Sequence, residues 1–319
     1  MPIFRQKKPS IMSIQHHIKT IGRGSRGAQA LSREDAADLM GHILDGRLSD
    51  LQLGAFCVAM RIKGETAEEM SGFLDAAQAR LDLGRSADAA LPLVVIPSYN
   101  GARRLPLLTP LLALLLAQRG LPVLLHGMAT EDGRTGSAEV LQALGIPALT
   151  APAAPAAIGA GQVAYLPTEV LHPGLAQLLA TRRAIGLRSS GHSLVKLLVP
   201  NAGQHLLLSS YTHADYHELL GVCCTQLGRN ALISRGLEGE VAADPRRTPR
   251  YDAWLQGAHQ LLQEQAAGTL TEIPGLPSAF DVASSARYTE AVLAGQLPLP
   301  AGLAVQINHI LELVKTIQK

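Results

Sequence analysis

From Leu93 to Pro110 the chain reads LVVIPSYNGARRLPLLTP, a short apolar run that passes through a turn into the start of a helix. The alternation recurs: Pro110 to Gln118 has helical character, LPVLLHG reads as a second strand, and Ala138 to Leu144 as a helix stopped by Gly145. Short buried strands separated by helices predict parallel βαβ units, since parallel neighbours need a crossover connection. HLLLSS, NALISRG and GTLTEI extend the set of candidate strands. Pro173 to Ile185, Ser284 to Leu293 and Leu303 to Lys319 read as helices, and the Ala/Pro-rich IPALTAPAAPAAIGAGQ as a connector.

Ahead of Leu91 the pattern is helical. Ser32 and Asp35 make a capping-box-like start, followed by Ala36, Leu39, Met40, Ile43 and Leu44 at helical spacing up to Gly46. Asp50 is the expected cap of a second helix with Leu53, Phe56, Cys57 and Met60 on one side, and Thr66 with Glu69 caps a third that runs to about Leu81. The expected fold class is therefore α/β: a small all-helical domain over 12–85, joined by helices from about 168–190, and a larger α/β domain over 90–165 and 191–319 with a mostly parallel central sheet. A cleft between two such lobes is the expected place for a ligand.

With 319 residues, 47% of them hydrophobic, the chain can bury one large core or two modest ones. The longest apolar run, Leu105 to Ala117, is broken by Thr109 and Pro110 and is shorter than the ~20 residues that span a bilayer, so no membrane partner is expected. The basic N-terminus lacks the uninterrupted apolar stretch of a secretory signal. Cys57, Cys223 and Cys224 make no disulfide framework, and a reducing cytoplasm is the expected location. The adjacent pair reads as core thiols. His192, His205, His213 and His217 keep no zinc spacing with a cysteine. His16 and His17 read either as a metal tract or, more simply, as part of a solvated basic arm.

The net charge of +2 hides an uneven distribution. No acid precedes Glu34, whereas Arg5, Lys7, Lys8, Lys19, Arg23, Arg26 and Arg33 all lie ahead of it. Two further acid-free stretches carry Arg103, Arg104 and Arg119, and Arg182, Arg183, Arg188 and Lys196. Such segments are either ordinary solvated charge or, if the fold gathers them, the footprint of a polyanion partner.

The turn after the first strand is where α/β proteins often hold phosphate, through glycines and a helix N-terminus. Here it has one glycine, Gly101, with Tyr99 before it and Arg103 and Arg104 after it. Tyr99 is placed either to stack one base or to pack against the turn.

Several segments carry a family resemblance: LQLGAFCVAMRIKGETAEEMSGFLDA, the His126–Gly127 pair, GSAEVLQALGI and RRAIGLRS, in that order. They resemble anthranilate phosphoribosyltransferase and the class II nucleoside phosphorylases of glycosyl transferase family 3, over about residues 14–290. The resemblance implies that two-lobed fold and a homodimer built through the helical lobe. In those enzymes the first turn is a Gly-Thr-Gly-Gly-Asp loop around the pyrophosphate of phosphoribosyl pyrophosphate. This chain has Pro97, Ser98, Tyr99, Asn100 and Gly101 there. The family's Asn-x-Ser-Thr becomes Pro106, Leu107, Leu108 and Thr109, its Lys-His-Gly-Asn becomes Leu125, His126, Gly127 and Met128, and its Asp-Glu pair becomes Glu238 and Gly239, with Glu240 one position late.

Proline and leucine offer no oxygen to Mg²⁺, so these departures imply no metal, no cofactor and no catalytic residue. They leave Ser98, Asn100, Gly101, Thr109, His126 and Gly127 as a former phosphate-loop region. VIPSYNGAR, RIKGE, IGRG and GLRSSGHSLVKLLVP resemble a bacterial branch, the YbiB-like proteins, which bind DNA and RNA without sequence specificity. The expected function is therefore sequence-nonspecific binding of nucleic acid in a basic groove by Arg103, Arg104, Arg134, Arg182, Arg183, Arg188, Lys196 and Tyr99. The alternative is a phosphoribosyl- or glycosyltransferase with an unknown acceptor, with Glu238 and Glu240 still holding one ion.

Overall fold

The structure is a computed structural model, and it describes residues 11–24, 26–81, 91–128, 133–152 and 158–319. The N-terminal arm with Arg5, Lys7 and Lys8, and the middle of the Ala/Pro-rich connector, lie outside these residues.

Four helices come first: α1 (Ile11–Ile21), α2 (Arg33–Leu44), α3 (Asp50–Lys63) and α4 (Ala67–Gln78). Two of their starts follow the expected chemistry, while α3 is capped by Ser49 and not by Asp50, which is its first residue. Ser32 accepts the Asp35 N–H, Ser49 and Gln52 form a reciprocal capping box, and Thr66 and Glu69 form another. Glu69 is fully buried and does more than cap. One oxygen takes the Leu31 N–H at 2.9 Å and the other pairs with Lys63 Nζ at 2.6 Å, which ties the segment before α2 and the end of α3 to α4. His16 and His17 lie in α1 and not in a solvated arm, and His17 Nε2 meets Asp38 Oδ2 at 3.0 Å.

The remaining elements are β1 (Leu93–Ser98), α5 (Thr109–Gln118), β2 (Val123–Gly127), α6 (Ser137–Ala143), β3 (Val163–Pro167), α7 (Thr168–Leu171), α8 (Pro173–Ile185), α9 (Gly191–Leu194), β4 (His205–Tyr211), α10 (Ala214–Gln226), β5 (Ala231–Arg235), β6 (Tyr251–Leu255), β7 (Ala258–Gln263), α11 (Val282–Leu293) and α12 (Ala301–Ile317). They build one seven-stranded sheet in the order β3-β2-β1-β4-β5-β6-β7. The first five strands are parallel; β6 and β7 add an antiparallel edge. The fold class is thus the expected one, a helical domain with an α/β domain around a mostly parallel sheet.

Two faces of the sheet bury different partners. One face, with Leu93, Val95, Leu124, Leu207 and Ile233, shares a continuous core with α1 to α4 and α8. The other, with Val94, Ile96, Leu125 and Leu208, packs on α5 and α12. Because α5 is covered almost all round, it is apolar all round, as a core helix should be.

One local expectation needs correction, and three strands carry no expectation in the sequence. GTLTEI is not a strand: residues 268–273 lie beyond the β7 edge, Leu270 is more than half exposed, and among the described residues no strand pairs with them. β3 follows directly on the segment expected to be only a connector. The β6–β7 hairpin turns on Gln256 and Gly257, both at positive φ (49° and 80°), the two-residue turn that suits twisted strands. Its usual Asn-Gly or Asp-Gly signature is absent, so the linear chain carries little sign of it.

α2 and α4 approach closely at Gly72, where a Cβ would collide with the Arg33 carbonyl and sit 2.9 Å from the Ala36 Cβ. Gly72→Ala is expected to destabilise the protein by about 1–3 kcal/mol through overpacking of backbone that has no room to yield. Chemical denaturation of the variant beside the parent checks it, and an unchanged midpoint would contradict this packing.

Candidate functional site

The sheet order reverses between β1 and β4: β2 and β3 lie on one side, and β5 to β7 on the other. At such a switch point the loops leaving the carboxyl ends of the two strands diverge and open a crevice, the usual ligand position in open α/β sheets. β1 ends at Ser98 and the loop after it contains Tyr99, Asn100 and Gly101, while the segment after β5 contains Leu237 to Glu240.

A single carboxylate joins the two. Glu240, 2% exposed, accepts the backbone N–H groups of Asn100 (2.7 Å) and Gly101 (2.9 Å) on Oε1. On Oε2 it accepts the hydroxyls of Ser98 (2.6 Å) and Thr109 (3.1 Å). Ser98 is also 2.7 Å from Ser137 Oγ. The donors that would embrace an anion at this strand-to-helix turn are therefore spent on the protein's own acid. Glu238 is engaged likewise, taking the backbone N–H groups of Arg103 (2.9 Å) and Arg104 (3.2 Å).

Gly239 explains why the pair of acids is split. Its φ is +87°, a region L side chains avoid, and a Cβ there would collide with the Asn100 amide. A second acid cannot occupy that position while Asn100 Nδ2 donates to the Gly239 carbonyl. These residues do not fit a magnesium pyrophosphate. Both carboxylates are committed to internal donors, and among the described residues no group of three or more His, Cys, Asp or Glu could hold a metal ion. The expectation that Glu238 and Glu240 retain one ion is corrected accordingly.

Asn100 also gathers cations. Arg134 Nη1 donates to its carbonyl at 2.8 Å, and Arg188 Nη2 donates to its Oδ1 at 2.8 Å. Arg103 and Arg104 follow on the same loop with exposed side chains, the former 3.7 Å from a Glu238 oxygen. Arg182 and Arg183 sit in the last turn of α8, whose carbonyl end favours positive charge. Arg182 lies near enough to His192 for its charge to lower that imidazole's pKa, whereas Arg183 is exposed.

Two expected contact residues lie inward. Lys196 donates to the carbonyl of Ser210 at 2.7 Å and lies 3.5 Å from that of Gly239. Burial brings its ammonium down to about 8, and the Glu240 charge opposes that fall. Tyr99 contacts the ring of His126 edge-on, at 5.5 Å between centroids. Thr168 Oγ1 donates to the Tyr99 hydroxyl at 3.0 Å, Tyr99 OH lies 2.8 Å from His126 Nδ1, and His126 Nε2 lies 3.2 Å from the Leu198 carbonyl. Burial raises the Tyr99 phenol above its ordinary range. Both residues therefore make contacts within the site, Lys196 to backbone carbonyls and Tyr99 to Thr168 and His126. Gly127, the end of β2, pairs in register with Ser98.

The comparisons with known proteins agree with this geometry. A model of the glycosyl transferase family helical bundle domain matches residues 15–80. Solved anthranilate phosphoribosyltransferases share the fold: the Saccharomyces cerevisiae enzyme in complex with PRPP and Mg at TM-score 0.72 and 15% identity, over 96% of this chain and 90% of that one; and the Thermus thermophilus enzyme at 0.68 and 21%, over 92% and 85%. The class is thus a protein of anthranilate phosphoribosyltransferase fold. By sequence, the Dehalococcoides mccartyi anthranilate phosphoribosyltransferase (strain 195) is 29% identical over 66% of this chain and 62% of that enzyme, so the match spans less than two thirds of its length. YbiB of Escherichia coli K12, described as an uncharacterized protein, is 38% identical over 93% of this chain and 92% of its own length. The chain belongs to the family of YbiB.

Sequence reasoning places Glu240 one position late in GLEGE but misses its use, because the donors that claim it come from residues 131 to 142 positions away. Asn100 as the collecting point is likewise unreadable from the linear chain.

His126 is fully buried and its pKa is pushed down from 6.5 to about 4 by desolvation; His192 falls to about 4 through burial and the charge of Arg188. The folded state therefore binds fewer protons than the unfolded chain between those values, and stability rises with pH across that window. As pH falls from 6.5 towards 4, each histidine is expected to withdraw up to about 1.4 kcal/mol per pH unit. Denaturation of His126→Gln at several pH values checks this: the slope should flatten, and an unaltered slope would refute the assignment.

Proposed function

We propose that this protein binds nucleic acid without sequence specificity, through a cationic trough at the carboxyl ends of β1 and β4, on a scaffold that has given up phosphoribosyl transfer. The observation that carries this reading is the convergence of Arg134 and Arg188 on Asn100, with Arg103 and Arg104 beside them. Charges that the sequence spreads from 103 to 188 come together around one loop. Exposed guanidinium groups suit phosphodiester oxygens because they bind them bidentately and stay charged at every physiological pH. A polymer of closely spaced phosphates gains from such a trough by releasing condensed counterions, whichever bases it carries. The same site offers a poor seat to a magnesium-bound sugar diphosphate, since Glu240 already occupies the donors.

Binding of unrelated oligonucleotides at several salt concentrations tests this directly. Affinity is expected to fall steeply with salt and to vary little with sequence. Removal of an exposed side chain, as in Arg103→Ala, Arg104→Ala or Arg183→Ala, should reduce the slope of log K against log salt by about one unit each. The backbone N–H bonds of Arg103 and Arg104 to Glu238 survive that truncation, so the loop keeps its shape. Absence of binding at low salt, or binding indifferent to salt, would refute the proposal. A saturable, magnesium-dependent heat with phosphoribosyl pyrophosphate would instead support the transferase reading, which the enzyme relatives favour.

A homodimer through the helical domain belongs to the same proposal. Leu51 (84% exposed), Ala55, Val58 and Ile62 (71% exposed) recur three and four residues apart along the outer side of α3. An apolar stripe of that spacing suits a second helix packed against it. Sedimentation should give twice the chain mass, and Leu51→Asp with Ile62→Asp should shift it to the monomer; an unshifted variant would place the contact elsewhere.

A further inference from the structure

A second cavity, of about 180 Å³, lies beside the trough on the far side of Arg188. Three parts of the chain enclose it: the end of α3 with the turn at Gly64, the stretch from Arg188 to Lys196, and the junction of β4 with α10. Its walls differ in chemistry. Arg61, Arg188 and Lys196 supply positive charge. Tyr211 and Tyr216 supply aromatic surface, both half-buried, with the Tyr211 ring in contact with His217 at 4.7 Å between centroids. Glu65 is the acid among the lining residues and gives the wall one hydrogen-bond acceptor.

The size and lining narrow the ligand. A cavity of roughly 150 Å³ is enough for one benzene ring, so this one takes a single flat ring and not a stacked pair. His192 lines it as a neutral imidazole at neutral pH, because burial and Arg188 pull its pKa to about 4. A wall that mixes aromatic rings, a neutral imidazole and one carboxylate suits an uncharged heterocycle with polar edges better than a bare anion. The neighbouring arginines suit an anion attached to that heterocycle.

We propose that this pocket receives one unstacked nucleobase, held against Tyr211 and Tyr216, while Arg188 and the exposed Arg61 engage the flanking phosphates of the strand. The inference rests on the nucleic-acid reading above and specifies its substrate class: single strands, or duplexes with an unpaired base. A base already free of its stack enters without the unpairing cost that a continuous duplex imposes. One base per strand on an aromatic wall gives affinity with little dependence on which base it is.

The test compares an oligothymidylate with an abasic phosphodiester of equal length and charge. The oligothymidylate is expected to bind roughly tenfold tighter, the gain typical of one stacked base, with the same salt slope for both. Tyr216→Ala should remove most of that advantage and leave the salt slope unchanged. Thr212→Trp, at an exposed lining position, should do the same by filling the space, so the test survives a Tyr216 variant that folds poorly. Equal affinity of the two strands for the parent protein, or an advantage that persists in both variants, overturns the base pocket while leaving the charged trough standing. If neither strand binds at low salt, the nucleic-acid reading itself falls.

Discussion

One buried carboxylate organises the switch-point crevice. Glu240 receives two hydroxyls and two backbone N–H groups from the end of β1, the loop after it and the first residue of α5. A buried charge without partners would be costly, and four donors without an acceptor would be nearly as costly, so each side requires the other. The loop after β1 takes its shape from this contact, and that shape aims Asn100 at Arg134, Arg188 and the Gly239 carbonyl. The cations around the crevice thus depend on a group that carries the opposite charge and stays out of solvent.

That arrangement also leaves few free donors at the turn after β1. A cradle of glycine-rich backbone binds a diphosphate by presenting free N–H groups. Here the equivalent groups face an internal acid that arrives with the protein and cannot leave as product. Lys196 complements it, a buried ammonium held on two carbonyls near Glu240. Within the crevice, resident side chains of both signs satisfy one another. Outside it, Arg103 and Arg104 on the loop and Arg183 at the end of α8 are exposed to solvent.

Much of the architecture was legible because it is written locally. Serine and threonine caps fixed the starts of α2 and α4, and short apolar runs between helical patterns fixed β1, β2, β4 and β5. What failed was equally local in origin. The β6–β7 turn uses Gln256 where asparagine or aspartate would have announced a left-handed residue, and GTLTEI has strand-like composition without a neighbouring strand to pair with among the described residues.

The sequence by itself determined the helical and α/β parts and the parallel sheet, and showed a single glycine in the turn after β1, since periodicity, caps and residue types need no partner to be read. Only the tertiary structure decided what replaced that loop. Glu240 meets Ser98 and Thr109 across more than a hundred residues, and Arg134 and Arg188 meet at Asn100 from distant parts of the chain. Such pairings arise from the order in which strands lie side by side, a quantity that spacing along the chain does not encode. For the same reason the partners of Tyr99 and Lys196, His126 and the Ser210 carbonyl, are not announced by the linear sequence.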